Sequence, residues 1–295
     1  MLCYLNGAFL PVDQASVSVL DRGFLLGDGV YEALRAFGGV AIAMDRHVRR
    51  LRESLEAVGI DYPAEQLATL TDELLARGGV GDAFVYWQFT RGVPAPNQPW
   101  RTRTPSGAMT PTVFGVAAPV VGLSALVAPA TVRVRLCADQ RWRRGLIKSI
   151  SLMGNVLAAM EAGENGAAEA IMCAGKGDKA RVTEACASNV IIVKNGRLAT
   201  PSLDHGDILA GITRARVLDT APEVEERDVT VGELLAADEV LFCGTTSLVS
   251  SVTHIDGKPV GSGASGPWAG ELYARLIRAT REEVERSRRT VAAAG

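Results

Sequence analysis

Residues 146–155 read LIKSISLMGN, and the lysine inside that apolar run is the position around which the rest of the chain is organised. Lys148 is flanked by Leu146, Ile147, Ile150, Leu152 and Met153. It is one of only five lysines among 31 basic residues. A lysine in such surroundings has two explanations. Its long stem can carry the ammonium out to water, or the amine is held where its pKa is lowered for chemistry. Gly154-Asn155 and a helical pattern follow, which places Lys148 near the end of a strand, where scaffolds present functional groups.

Outward from this run, strands and helices alternate without a repeated period. Strand patterns cover 30–36, 84–91, 112–117, 131–137, 169–173, 190–194 and 239–243. Asn6-Gly7, Asn195-Gly196 and Asp256-Gly257 each separate two short apolar runs and predict hairpins. Val48, Leu51, Leu55 and Val58 form one stripe of a helix over 46–58, and a second helix is expected at 64–77. GNVLAAMEAGENG reads as a helix stopped by glycine. GITRARVLDTAP reads as one that starts near Gly211 and ends before Pro222. Pro267 opens a long amphipathic run. No charge occurs from Thr104 to Val132, but Pro105, Pro111, Pro119 and Pro129 interrupt the stretch. Interior prolines exclude a membrane helix and leave strand, linker, strand. The fold class is therefore α/β (α+β) in two domains, 1–118 and 124–295, joined by a linker at 119–123.

Composition narrows the function. The 295 residues are 47% hydrophobic with a formal net charge of −2, enough for a substantial core. The basic residues are interspersed with acids, which excludes a nucleic-acid or anionic-membrane binder. Five scattered cysteines without a C-x-x-C pair, and three histidines without ligand spacing, argue against a metal site. The same cysteine usage fits a reducing, cytoplasmic setting. MLCYLNGAFL lacks the basic region that opens a signal peptide.

Five features beyond Lys148 could carry chemistry. Gly211, Ile212 and Thr213 open a helix, and Gly244, Thr245 and Thr246 follow an apolar strand. Glycine admits close approach of the backbone, and amides at a helix start bind phosphate. Ordinary turns and caps use the same residues. Glu184 in RVTEACASNV lies among small residues that would let a flat group come close, or is a solvent-facing acid at a strand end. Arg49, Arg50 and Arg52 are indistinguishable by spacing. In GDGVYEALRAF, alternation puts Tyr31, Ala33 and Arg35 on one face and Val30, Glu32 and Leu34 on the other. Tyr31 and Arg35 would suit a carboxylate, or form an amphipathic outer face.

Taken in order, SVLDRGFLLGDGVYEALR, DRHVRRLRESL, DQRWRRGLIKSISLMGNVLAAMEA, RVTEACASNV, GITRARVL, LFCGTTS and HIDGKPVGSGASGP resemble the class IV (fold-type IV) pyridoxal-phosphate aminotransferases over nearly the whole chain. The block around Lys148 is closest to the D-amino-acid transaminase branch. The resemblance implies a small N-terminal α/β domain, a larger C-terminal pseudo-barrel domain, a homodimer and the cofactor pyridoxal 5'-phosphate. Lys148 matches the Schiff-base lysine, which also moves a proton between the substrate Cα and the cofactor. Glu184 matches the acid that keeps the pyridine nitrogen protonated. Arg50 matches the phosphate clamp. Ile212, Thr213 and Thr245, beside Gly211, match the phosphate cup, and Leu209 the apolar residue against the ring.

The chain departs from the branch where the substrate carboxylate is expected. An arginine and a histidine two residues apart follow the TRG strand in that branch; here RGVPAPNQPW has Pro96 and Gln98. Arg35, Arg91, Arg101 or Arg103 would have to substitute, with Tyr31 and Thr246 as further substrate contacts. Branched-chain enzymes carry a tyrosine where this chain has Met153 and an arginine where it has Gln88. The expected activity is transfer of an amino group from a D-amino acid to a 2-oxo acid. The alternatives are an aminodeoxychorismate lyase making 4-aminobenzoate, then an (R)-amine or branched-chain aminotransferase.

Overall fold

The computed structural model describes residues 1–294, and the side chains as far as residue 290. Its chain gathers into two compact units. The first holds Met1–Ala125, Ile147–Ser151 and the chain from Glu283; the second holds Leu126–Leu146 and Leu152–Glu282. The sequence-order division at 119–123 assigns Ile147–Ser151 and the chain beyond Glu283 to the second part, whereas both cluster with the first unit.

The first unit is built on a six-stranded antiparallel sheet. In spatial order its strands are Ala8–Pro11, Leu2–Leu5, Thr112–Pro119, Ala83–Thr90, Gly29–Phe37 and Val40–Ala41. Helices Met44–Val58 and Gln66–Gly78 cover one face. Alternation decides which residues they cover: Val30, Leu34, Val85, Trp87 and Phe89 point into a core with Leu51, Leu55, Leu67 and Leu74. Tyr31, Arg35, Tyr86 and Gln88 take the other face, half-buried.

The second unit is a nine-stranded mixed sheet. Its path runs Val224–Glu226, Arg197–Thr200, Asn189–Lys194, Glu239–Gly244, Leu248–Ile255, Ala130–Ala138, Glu169–Ala174 and Arg181–Ala185, with Lys258–Pro259 paired to Leu248–Ile255. The strand at the end of that path, Arg181–Ala185, leads through three residues into Asn189–Lys194, near the other end. So short a link requires the sheet to curl back on itself, as a pseudo-barrel does. Apolar side chains of its strands form the core with Val229, Val231 and Leu234.

The hairpin signals resolve as two-residue turns. Asn6 and Gly7, Asn195 and Gly196, and Asp256 and Gly257 all take positive φ, between 48° and 96°, as a turn matched to strand twist demands. All seven expected strands are present within two residues. Two short helices escape the periodic reading, Arg22–Leu26 and Val231–Leu235, being too short for an apolar stripe. Among the described residues, no helix is long and apolar enough to cross a membrane.

Candidate active site

Lys148 is not on a strand of the second unit. It belongs to Ile147–Ser151, an irregular segment that attaches to the start of Gly29–Phe37 in the first unit. Val30 and Ser149 form a single antiparallel bridge. The Tyr31 amide donates to the Lys148 carbonyl at 2.9 Å, and the Ile150 amide to the Gly29 carbonyl at 3.1 Å. Val40–Ala41 pairs only with the far end of that strand, Ala36 and Phe37, so the segment fills an edge left open at its beginning. Two backbone bonds thus fix the segment that carries the lysine. Its Nζ lies 4.0 Å from the centroid of the Tyr31 ring, a cation–π contact. Tyr31 in turn packs against Tyr86 at 5.6 Å between centroids, and the Tyr86 hydroxyl donates to Gln88 Oε1 at 2.8 Å.

Arg50 separates from its neighbours once folded. Arg49 and Arg52 are exposed, while Arg50 faces the sheet, 6% exposed. Its Nε and Nη2 donate to the two oxygens of Glu32, each at 2.8 Å. His47 Nδ1 lies 2.6 Å from Glu32 Oε2. Burial works against the Glu32 charge, but the Arg50 guanidinium outweighs it and brings the carboxyl down to about 2. Burial likewise pushes His47 below its ordinary value, against the pull of Glu32.

Strand alternation puts Glu32 on the face shared with Val30 and Leu34. An acid at a core position of an alternating strand requires a buried cation, and DRHVRRL supplies one.

In the second unit, Glu184 is the next-to-last residue of Arg181–Ala185 and is 6% exposed. It is not a solvent-facing strand end. Asn189 Nδ2 and the Leu209 amide donate to its Oε2 at 3.2 and 3.0 Å, and Arg141 Nη1 donates to Oε1. Arg141 is itself gripped by Asp139, from Nε at 3.0 Å and Nη2 at 2.7 Å. Burial alone would raise the Asp139 carboxyl; Arg141 prevails and holds it below the carboxylate range. Thr183 Oγ1 adds a bond to Asp139 at 2.7 Å. The sequence signal for the Asp139–Arg141 pair is the D-x-R of DQRW.

Leu209 reaches Glu184 through its main chain, and its carbonyl accepts from Asn189 Nδ2 at 3.0 Å. Gly211 is the N-cap of helix Ile212–Thr220 and offers no capping side chain. The first-turn amides there have no partner inside the helix. A Cβ on Gly211 would lie 1.9 Å from Asn189 Oδ1, so the close packing admits only glycine. Thr245 and Thr246 occupy the turn between Glu239–Gly244 and Leu248–Ile255, with Thr246 exposed.

Of the arginines considered for a carboxylate, Arg91 is engaged in the fold. It donates to Asp28 at 2.8 and 2.9 Å and to the Gly59 and Val58 carbonyls at 2.6 Å, closing the end of Met44–Val58. Arg35 lies half-buried, 6.0 Å from the Phe37 ring centroid. Arg101 and Arg103 are exposed.

Known proteins resemble this chain over most of its length. Residues 29–255 match the family model of class IV amino-transferases. A D-alanine aminotransferase of Listeria innocua is 35% identical over 300 residues, 97% of each chain. One from Bacillus licheniformis is 36% identical over 281 residues, 90% of this chain and 93% of its own. The branched-chain aminotransferase of the archaeon Thermoproteus uzoniensis superposes with a TM-score of 0.78 at 28% identity, covering 94% of each chain. That of Escherichia coli gives 0.81 over 92% of this chain and 91% of its own, at 22% identity, a likeness of fold. The architecture is that of the fold-type IV transaminases. The chain belongs to the class IV aminotransferase family and is an enzyme that transfers amino groups. The relatives do not favour the lyase alternative.

Proposed function

We propose that the enzyme is a pyridoxal-phosphate-dependent transaminase that moves the amino group of a D-amino acid to a 2-oxo acid such as pyruvate or 2-oxoglutarate. The observation that carries the choice of donor is the likeness, at 34–36% identity over nine-tenths or more of the chain, to several D-alanine aminotransferases.

The residues present fit the cofactor. The uncapped helix start at Gly211, Ile212 and Thr213 supplies amides for a phosphate, and Thr245 a hydroxyl. Arg50 supplies a cation, and the Leu209 side chain an apolar contact for the ring. Glu184 supplies a buried carboxylate, with donors on both oxygens, for the ring nitrogen. The chemistry gained with the cofactor is that of an aldehyde conjugated to an electron-withdrawing ring. Glu184 holds the proton on that ring nitrogen, and Arg141 and Asn189 keep its carboxylate oriented. Lys148 would supply the amine that holds the cofactor and would take the proton from the donor's Cα. Tyr31 lies under the ammonium and steers it. Tyr31, Arg35 and Thr246 contact the substrate. A homodimer completes the reading.

The test is the visible spectrum of the protein reconstituted with the cofactor. D-alanine without acceptor should bleach the yellow band, and pyruvate should restore it. Lys148→Ala should abolish turnover, a loss of several orders of magnitude. Bleaching by L-leucine or an (R)-amine but by no D-amino acid would overturn the choice of donor; turnover by Lys148→Ala would overturn the lysine's role.

A further inference from the structure

Glu32 has no part in the chemistry above, yet its carboxylate is wholly buried, at the centre of a three-residue polar cluster in a hydrophobic core. We propose that Glu32 is the positioning residue for Arg50. It grips the guanidinium at two points and so fixes the orientation in which the phosphate of the cofactor is bound, while His47 fixes Glu32. The inference rests on the reading of Arg50 as the phosphate-binding arginine.

The geometry supports this in three ways. The grip uses the Nε–Nη2 edge of Arg50 against both carboxylate oxygens, each at 2.8 Å. This is the fork-to-fork pairing that fixes a guanidinium plane. Arginine has a long stem with many rotamers, and an arginine left to itself would lose that freedom only when the ligand arrives. Second, Glu32 is itself fixed. It sits mid-strand with Val30 and Leu34 on the same face, and His47, one turn before Arg50 on the same helix, closes on its Oε2 at 2.6 Å. Third, stability alone gives no reason to keep the cluster. Buried ion pairs are often replaced by apolar residues without loss, and the neighbours here are apolar. Orientation of Arg50 accounts for what packing does not.

One effect opposes the proposal and makes it testable. Glu32 carries a negative charge, which repels an incoming phosphate. If charge dominated, removing it would tighten binding; if positioning dominates, removing it loosens binding.

The experiment compares dissociation constants of pyridoxal 5'-phosphate and of pyridoxal, which lacks the phosphate, on protein freed of cofactor. The pyridoxal constant divided by the pyridoxal-phosphate constant isolates the phosphate contribution. In Glu32→Gln this ratio should fall about tenfold or more, the scale on which supporting residues act on a bound group. His47→Gln should lower it less. Glu32→Asp keeps the charge and shortens the reach, so it too should lower the ratio; it also serves if the glutamine variant does not fold. A ratio that rises, or stays at the wild-type value in both Glu32 variants, overturns the proposal. A purely structural role would lower the thermal midpoint and leave the ratio in place. If Arg50→Leu itself leaves the ratio unchanged, the reading of Arg50 fails instead.

Discussion

His47 shows how one buried side chain ties stability to pH. Burial holds its pKa below the ordinary 6.5, so the folded chain keeps the ring neutral where the unfolded chain takes a proton. The sign follows. Stability is full above 6.5 and falls as pH drops below it, by at most about 1.4 kcal/mol per pH unit for one proton. Glu32 adds a second limb in the same direction. Its carboxyl is depressed from 4.5 to about 2, so its contribution is present above 4.5 and is lost as pH falls toward about 2. The thermal midpoint should therefore decline on acidification below pH 6.5, and His47→Gln should flatten that first limb while lowering the plateau. An unchanged slope in the variant would reject His47 as its source. The pairing within this cluster is not legible in the sequence. Alternation placed Glu32 inward and periodicity laid out the helix, but pairing a strand residue with a helix residue fifteen positions on is a tertiary fact. The same holds for Arg141 and Glu184, forty-three positions apart.

Among the elements, strands were the most legible. Their alternating or continuous apolar runs are long, and Asn-Gly or Asp-Gly pairs mark their turns. What the pattern did not carry is how closely neighbouring strands approach. Gly115 lies directly across from Trp87 in the antiparallel register. A Cβ there would fall 2.3 to 2.5 Å from three atoms of the indole ring. Trp87 has no room to move away. It is fully buried, and its Nε1 donates to Thr71 Oγ1 at 3.0 Å. Gly115→Ala should cost about 1–3 kcal/mol, the usual penalty for overpacking a core. Urea denaturation would measure it, and a midpoint equal to the wild type would mean that the ring does not press on this glycine. Lys148 is legible as a residue, but the element that carries it is not. Its apolar flanks suggest a strand, yet Ile147 and Ile150 belong to a short edge segment with one bridge, and Leu146, Leu152 and Met153 are exposed.

For the molecule as a whole, the fold class and the order of elements were readable, because each compact unit keeps most of its elements consecutive in the chain. The exceptions, Ile147–Ser151 and the chain from Glu283, return to the first unit after long excursions, and no local pattern announces such a return. A further global property is written on the helix Met153–Glu164. Its inward side is small: Ala158 and Ala162 pack on Cys137, Ala170 and Met172. Its outward side is large and apolar, with Met153 at 69% exposure and Val156, Leu157 and Met160 each near one half. Those four positions follow i, i+3, i+4, i+7 spacing and so form one continuous stripe. A surface helix that turns its small residues inward and its large apolar ones outward has its hydrophobic order inverted for a lone chain. The proposed homodimer would cover that stripe. Sedimentation should therefore give twice the 31.1 kDa of one chain. Replacing Val156 and Met160 together by glutamate should shift the protein toward the single-chain mass. Charges at exposed positions disturb the fold of a single chain little, about 0.5 kcal/mol each, so a lost dimer with an intact circular-dichroism spectrum assigns the stripe to the interface. A wild-type protein that sediments as one chain would remove the dimer from the reading, and a double variant that still pairs would place the interface on another surface.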